Sequence, residues 1–541
     1  MPSPLPRHIA IVGCGFAGTS ALFQLVDRHP VREITVFEAS GHFGPGYAYR
    51  PDECGDYLIN NTTDTMCLLA SNRRAFIEWL NGRPEFAASL APKGHLPRRV
   101  YGEFLLDVMR SVRTIAAIKG IRLREVGMEV THMHERADGQ VEIGWAGGST
   151  VVDVALLTTG RCPDRAAHPL PPAGAAAQYV ANHIHNPAFD YIALDATCHV
   201  LGASLSAYDA VNRLFSPATG CRFESDGSGE LRFIPGPNER RVVLGSRSGR
   251  LKKMQSREPM QIQRSCFVAP RFTDLAHGGA LTLASLGRLI QDEAAAHQAQ
   301  IDWAEVLDPY RGCTDAADVN RRAGALLAAD IAAASSGGTR NFLVDLAADA
   351  QLLLWDAFAQ HLLPAAEERA YRSSFETTLL CYAAPCPIPT AQRLLALHRA
   401  GRLQVRRGVG QVTLAHDASH YRIAHAHGVD RAGVLINTTG SVDRRVNSAG
   451  QPALVTSLRD AGLLRAYSRD GVELDGADVD MASFRARGSR NIFVANMFLW
   501  GPGFFTSSAF MMASIVERLL TAIFEPPGAQ PASQPASQPA S

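Results

Sequence analysis

The sequence predicts an α/β protein: two Rossmann-like dinucleotide-binding domains with a helical insertion. Three observations lead there. An apolar run near the start ends in Gly13-Cys14-Gly15-Phe16-Ala17-Gly18. A second ends in Gly202-Ala203-Ser204-Leu205-Ser206-Ala207. Between about residues 281 and 397 the chain is Ala- and Leu-rich with charges at helical spacing.

The first apolar run, residues 8–12, reads as a strand buried on both faces. Gly13 permits the tight turn after it, Gly15 lets main chain approach a pyrophosphate, and Gly18 allows close helix–strand packing. The helix expected over residues 17–27 turns its amide-rich end toward the phosphates, so Phe16 and Ala17 fall at the phosphate end. A second strand, residues 33–37, ends in Glu38, placed to accept hydrogen bonds from a ribose 2′-hydroxyl. An acid there disfavours a 2′-phosphate, so the ligand is FAD or NAD(H) rather than NADPH. The segments after Glu38 favour FAD. Residues 43–49 (FGPGYAY) occupy the place where flavoproteins run a loop beside the flavin ring. After them come residues 58–66, with Asn61 and Met66, and then Pro97-Arg98-Arg99.

Residues 154–157, 199–201 and 434–436 also read as buried parallel strands. Residues 153–163 (DVALLTTGRCP) and 433–443 (GVLINTTGSVD) echo one another, which suggests one sheet entered, left and re-entered. Residues 141–154 read as a hairpin. The strand expected over 241–245 leads to Ser246-Arg247-Ser248-Gly249-Arg250. An arginine there suits the 2′-phosphate of NADPH through a bidentate fork. Lys252 and Lys253 either add positive charge or belong to a solvated loop. Ser204 stands where a second fingerprint glycine is expected, and its Cβ crowds a pyrophosphate.

These readings divide the chain into an FAD-binding domain, first part (1–165), and an NAD(P)H-binding unit (190–265). A helical insertion (270–400) follows, then a return segment completing the FAD domain (401–524) and a tail (525–541). Within the insertion, residues 343–355 are the clearest amphipathic stretch. The insertion either shapes a substrate pocket or forms a packing or dimer surface. The Pro/Ala/Ser/Gln-rich tail is expected to be disordered.

The bulk numbers narrow the function class. Fifty-three basic against 52 acidic residues in 541 give a net charge of +1, no sign of nucleic acid or a charged membrane face as partner. No apolar stretch is long enough for a bilayer, and the start lacks a secretory pattern, so a cytoplasmic protein is expected. The ten cysteines form no C-x-x-C pair and no zinc pattern. Cys381 and Cys386 are nearest, but lie away from the expected flavin. No metal site and no disulfide-reductase chemistry is expected.

On these motifs the chain resembles the two-dinucleotide-domain flavoproteins called FAD/NAD(P)-binding proteins, related to flavin-dependent N-hydroxylating monooxygenases. The resemblance implies that the first fingerprint binds FAD and Glu38 holds the adenosine ribose. It further implies that Arg98 or Arg99 contacts the cofactor, that main chain at Val130 meets the adenine, and that Thr159-Gly160 let the chain pass the FAD. Gly202, Ser204 and Ser206 resemble the nicotinamide-dinucleotide turn. Residues 491–508 resemble the closing strand and helix of the FAD domain. Asn496 stands near the ribityl chain, Gly501 to Gly503 form the approach, and the helix dipole faces the flavin.

The implied reaction is an FAD-dependent, NADPH-using N-oxygenation of a small amine or amino acid by O2, in a pocket sheltered by Leu499, Trp500, Phe504 and Phe505. Arg73 and Arg74 are either a clamp for an anionic substrate or a helix-surface pair. No catalytic acid or base can be named. Two alternatives stand: a flavin oxidase or dehydrogenase that does not use NADPH, and a non-catalytic flavin-binding partner. A homo-oligomer is compatible with either.

Overall fold

Runs of β-branched and aliphatic residues form two parallel sheets, each covered by helices. The computed structural model describes residues 5–89, 94–164, 168–225, 227, 230–440, 442–504, 506 and 508–525. In the first sheet the parallel strands lie in the order Ile492–Val494, Val154–Leu157, His8–Val12, Glu33–Phe37, Arg122–Val126. Two short antiparallel strands, Arg485–Ala486 and Val479–Asp480, extend its edge. Helix Phe16–Arg28 packs against helices Arg98–Lys119 and Ala509–Phe524. Ser508 caps the last of these by accepting from the Met511 amide at 3.0 Å.

The second sheet is wholly parallel, in the order Leu403–Arg407, Arg241–Ser246, Thr197–Leu201, Val434–Asn437, Gln178–Val180. Each sheet has its own three-stranded antiparallel meander. One is Val130–Glu135, Val141–Trp145 and Gly148–Val152, leading into Val154–Leu157. The other is Val412–Leu414, Tyr421–His425 and Gly428–Ala432, leading into Val434–Asn437.

This corrects the reading of the Thr-Thr-Gly echo. Its two copies are not one sheet re-entered but the corresponding strands of two sheets. It also divides the expected return segment 401–524. Residues 403–437 complete the second sheet, and among the described residues the chain rejoins the first sheet through strands 479–494. Local apolar pattern could not show this, because both sheets demand the same buried strand.

The insertion bridges both cores. Helices Ala316–Ser336 and Ile388–Arg399 contribute Leu327, Ala334, Leu394 and Leu397 to the core of the second unit. Phe342, Leu346, Trp355 and Phe358 join the core that also holds Phe484 and Phe504. The stretch 343–355 is not one amphipathic helix. It falls into helices Phe342–Asp349 and Gln351–Ala359, and Val344, Asp345, Leu346 and Ala347 are buried in succession, so most of its circumference is covered. Tail residues 526–541 lie outside the described residues.

Candidate functional site

The turn after strand His8–Val12 is built from main chain. Gly13 has φ of 101°, and a Cβ there would meet the Thr158 carbonyl oxygen at 2.5 Å. Only glycine adopts that backbone without strain. The Thr158 hydroxyl donates to the carbonyls of Gly13 at 2.7 Å and Val12 at 3.1 Å, tying the turn to the neighbouring strand. A Cβ on Gly18 would run into the Gly13 carbonyl.

Gly15 is the N-cap of helix Phe16–Arg28, where Phe16 and Ala17 form the first turn. It faces Gly46, where a Cβ would meet the Gly15 Cα at 2.6 Å. The Gly44 amide donates to the Cys14 carbonyl at 2.8 Å. Residues 44–46 thus lie along the fingerprint with no side chain on Gly15 or Gly46. Bare main chain at a helix N-terminus is the cradle a diphosphate fits. Glu38 is oriented toward it. Its Oε2 accepts from the Cys14 amide at 2.9 Å, and its Oε1 from the Ser40 amide and hydroxyl at 3.1 and 2.8 Å. The Glu38 amide donates to the Val126 carbonyl at 3.1 Å, so the main chain bordering this acid is at Val126. Val130 lies four residues on, buried in the meander opposite Trp145.

Directly beside the Gly13 turn, Thr159 and Gly160 are exposed at the tip of strand Val154–Leu157. Asn496 is 3% exposed; its Nδ2 donates to Thr159 Oγ1 at 3.1 Å, and its Oδ1 accepts from the Phe498 amide at 2.9 Å. A Cβ on Gly501 would run into the Asp475 carbonyl, so this turn too is packed main chain on main chain. Leu499, Trp500 and Phe504 are buried. The Thr506 hydroxyl, on a residue 1% exposed, has no partner among the described residues. An orphaned buried hydroxyl beside this loop is what a ring edge rich in acceptors would satisfy. Phe505 lies outside the described residues.

The insertion grips this loop. Arg372 Nη2 donates to the carbonyls of Gly501 at 2.7 Å and Gly503 at 2.5 Å. Its Nη1 donates to Glu376 Oε1 at 2.6 Å, which also accepts from Trp500 Nε1 at 2.9 Å. Arg372 lies in the π-helical turn Tyr371–Phe375, a geometry frequent at functional sites. The ring of Phe504 packs against Phe358 and Tyr371, with centroids 5.9 and 6.4 Å away. Nothing in the sequence singled out Arg372 or Tyr371, because a π-turn has no periodic signature.

The second unit repeats the first. Gly202 has φ of 114°, and a Cβ there would meet the Thr438 carbonyl oxygen at 2.9 Å. The Thr438 hydroxyl donates to the Leu201 carbonyl at 2.7 Å. The Gly202 amide donates to the Gly245 carbonyl at 2.8 Å, as the Gly13 amide does to Phe37 at 2.9 Å. Gly245 therefore corresponds to Phe37, and Ser246 to Glu38. Ser204 is the N-cap of helix Leu205–Leu214, in the place of Gly15, and Ser206 lies half-buried in the first turn. Arg247 is exposed, and its guanidinium has no partner among the described residues.

Several basic residues lie elsewhere than expected. Arg98 donates to Asp209 Oδ2 at 2.7 Å and to the Leu58 carbonyl at 3.1 Å, a buried bridge to the second unit's helix that leaves its guanidinium engaged. Arg99 is exposed and lies 3.8 Å from Glu103. Asn61 and Met66 flank the short helical turn Thr63–Thr65, with Met66 buried. Arg73 and Arg74 are both exposed; Arg73 lies over the Phe510 ring and Arg74 beside Glu78, so they form no pocket clamp. Arg250 donates to the Val306 carbonyl and Thr378 hydroxyl. Lys252 is buried with its ammonium on the Leu380 carbonyl, and burial lowers its pKa. Lys253 pairs with Asp330 at 2.8 Å. These two lysines are docking points for the insertion, not a solvated phosphate-binding loop.

Residues 10–162 match the model of the FAD-NAD(P)-binding family. The first unit is an FAD-NAD(P)-binding domain. The match spans the Gly13–Gly18 turn, Glu38 and the Thr158–Gly160 strand end, the same elements that build the cradle. Among solved structures, L-lysine 6-monooxygenase from Pseudomonas syringae is 16% identical, with 95% of this chain and 98% of that chain covered and a TM-score of 0.48. An ornithine N-hydroxylase from Kutzneria sp. 744 is 12% identical, with 96% and 99% covered and a TM-score of 0.46. A cyclohexanone monooxygenase is 14% identical, with 96% and 87% covered and a TM-score of 0.47. A search of curated proteins by sequence gives no match. Among the described residues, no helix is long and apolar enough to cross a membrane.

Proposed function

We propose that this protein is an FAD-dependent, NADPH-using monooxygenase that N-oxygenates a small neutral amine. One observation carries the reading. The two fingerprints are built alike, yet the position after the second strand of each differs: Glu38 in one, Ser246 followed by Arg247, unpaired among the described residues, in the other. A carboxylate takes a ribose 2′-hydroxyl, whereas serine and a free guanidinium take a 2′-phosphate. This supports two different dinucleotides rather than two copies of one.

When bound, FAD supplies hydride acceptance and oxygen activation. The chain holds and shelters it. Gly15 and Gly46 admit the diphosphate, Glu38 the ribose, Asn496 and Thr159 the ribityl side, and the Thr506 hydroxyl the ring edge. Leu499, Trp500 and Phe504, backed by Phe358 and Tyr371, exclude water. Apolar walls favour an amine in its neutral form, the form with a free lone pair. The overall balance is amine, O2, NADPH and a proton in; hydroxylated amine, water and NADP+ out.

A flavin oxidase or dehydrogenase is the second reading, favoured by the Cβ of Ser204 at the second fingerprint. A non-catalytic flavin-binding partner is the third. Stopped-flow mixing of the flavin-loaded protein with NADPH separates them. Rapid flavin bleaching followed by hydroxylamine formation from an added amine supports the monooxygenase. Flavin that stays oxidised under NADPH rejects it.

A further inference from the structure

The two units keep separate apolar cores, and charged side chains fill part of the seam between them. Helix Arg98–Lys119 gives Val100, Tyr101 and Phe104 to the first core, whereas helix Leu205–Leu214 gives Ala207, Tyr208 and Val211 to the second. Arg98 and Asp209 meet across the seam at 2.7 Å, with side chains 12% and 6% exposed. Other ties cross it too. The Tyr57 hydroxyl donates to the His183 carbonyl at 2.9 Å, and Arg393 pairs with Asp56 at 2.9 Å.

Arg98 differs from those ties in what its other donors hold. Its Nε donates to the Leu58 carbonyl at 3.1 Å, and its amide to the Tyr57 carbonyl at 2.8 Å. Leu58 opens the segment 58–66 that follows the bare main chain at Gly44–Gly46. Asp209 lies in the helix capped by Ser204, the second fingerprint, and its Oδ2 is also 3.4 Å from His183 Nε2. One planar guanidinium therefore joins the segment after the FAD cradle to the helix whose N-terminus faces the second dinucleotide. A buried ion pair adds little stability over an apolar pair of similar volume; its best-attested use is to fix the register of the parts it joins.

We infer that Arg98 is a positioning residue: through Asp209 it holds the second fingerprint helix in register with segment 58–66, and so sets how a nicotinamide meets the flavin. A misplacement of about 1 Å between reacting groups costs on the order of a hundredfold in rate. The inference rests on the monooxygenase reading for its nicotinamide; the register itself does not.

The double variant Arg98→Met with Asp209→Leu tests it, because an apolar pair removes the register and keeps the packing. The flavin-loaded full chain is measured three ways. The melting temperature should stay close to the parent's, since the Tyr57 and Arg393 ties remain. Amide exchange without any nicotinamide should be about tenfold faster at residues 57–60 and at residues 205–210 together, although they belong to different units. Flavin reduction at saturating NADPH should slow at least about tenfold, with the Kd for NADPH unchanged. Asp209→Asn, which keeps the side-chain shape, is the second variant should the double one fail to fold. Arg98→Lys keeps the charge without the fork and should restore the melting temperature of a charge-deleted variant but not the rate. Exchange that is unchanged, or faster in one segment alone, would overturn the inference, as would a variant reduced as fast as the parent. A parent that NADPH does not reduce would instead sink the monooxygenase reading, and the exchange result alone would decide the register.

Discussion

Thr158 and Thr438 hold corresponding positions in the two halves of the molecule. Each hydroxyl donates to the carbonyl of the residue ending the strand that leads into its fingerprint turn, Val12 at 3.1 Å and Leu201 at 2.7 Å. Each threonine's own carbonyl lies where a Cβ on the turn glycine, Gly13 or Gly202, would stand. The pair shows that both fingerprints are shaped by the same two-strand clamp. Substituting them one at a time should separate the two dinucleotides. Thr158→Val should weaken FAD retention by about tenfold, from loss of a buried hydrogen bond worth about 1 kcal/mol or slightly more. Thr438→Val should leave flavin content unchanged and raise the KM for NADPH. Flavin-to-protein absorbance ratios and NADPH titrations read the two outcomes.

Arg247 and Arg250 flank Ser248-Gly249, and the sequence places an arginine just after the strand, Arg247, as the 2′-phosphate ligand. The structure distinguishes them. Arg250 is bound to Val306 and Thr378, whereas Arg247 is exposed and unpaired among the described residues. Arg247→Ala should raise the KM for NADPH at least tenfold and barely change that for NADH, since one charge-assisted phosphate contact is worth about 1.5–3 kcal/mol. Arg250→Ala should lower the melting temperature and affect both cofactors alike. Equal KM effects of Arg247→Ala on the two would remove the case for a 2′-phosphate.

The first fingerprint, Glu38, the closing strand and the final helix were legible because each is local. Glycine spacing, apolar runs and a cap lie within a few residues of one another. The assignment of 403–437 was not, since a buried parallel strand carries no mark of which sheet it joins. The fate of Arg98, Lys252 and Lys253 was equally hidden. Their partners, Asp209, the Leu380 carbonyl and Asp330, lie 77 to 128 residues away in sequence. The Thr-Thr-Gly echo carried real information, but on a duplicated architecture rather than one sheet.

Arg372 ties the insertion to the loop before the last helix through two carbonyls and Glu376. Lysine keeps the charge but cannot reach three acceptors as a planar fork does. Arg372→Lys should therefore cost about 3 kcal/mol of stability, as expected for disrupting a largely buried charged pair. It should also let water into the pocket, so that NADPH oxidation proceeds with hydrogen peroxide released in place of hydroxylated product. Thermal melts and a peroxide assay check both, and a variant as stable and as coupled as the parent would contradict this role.

His199 lies in the central strand of the second sheet, fully buried, with neither ring nitrogen hydrogen-bonded among the described residues and the Asp430 carboxylate 4.0 Å from Nδ1. Burial is the main cause that pushes its pKa down to about 3, with the Arg406 and His425 charges adding. The ring is neutral in the fold, whereas the unfolded chain protonates near 6.5. Its contribution to stability is thus full above pH 6.5 and is lost as pH falls from there toward 3. His199→Leu should flatten that part of the profile. Urea melts at pH 7 and pH 5 should show a smaller difference for the variant; an unchanged difference would place the acid sensitivity elsewhere.

The proposed chemistry depends on FAD lying against bare main chain between Gly15 and Gly46. The decisive comparison is the visible flavin spectrum of the purified chain beside that of Gly15→Val. The expected result is a yellow protein with near-stoichiometric FAD, and a folded but colourless variant that cannot be reconstituted. A parent chain that neither carries nor takes up FAD, or a Gly15→Val variant that keeps it, would show that the cofactor does not sit there.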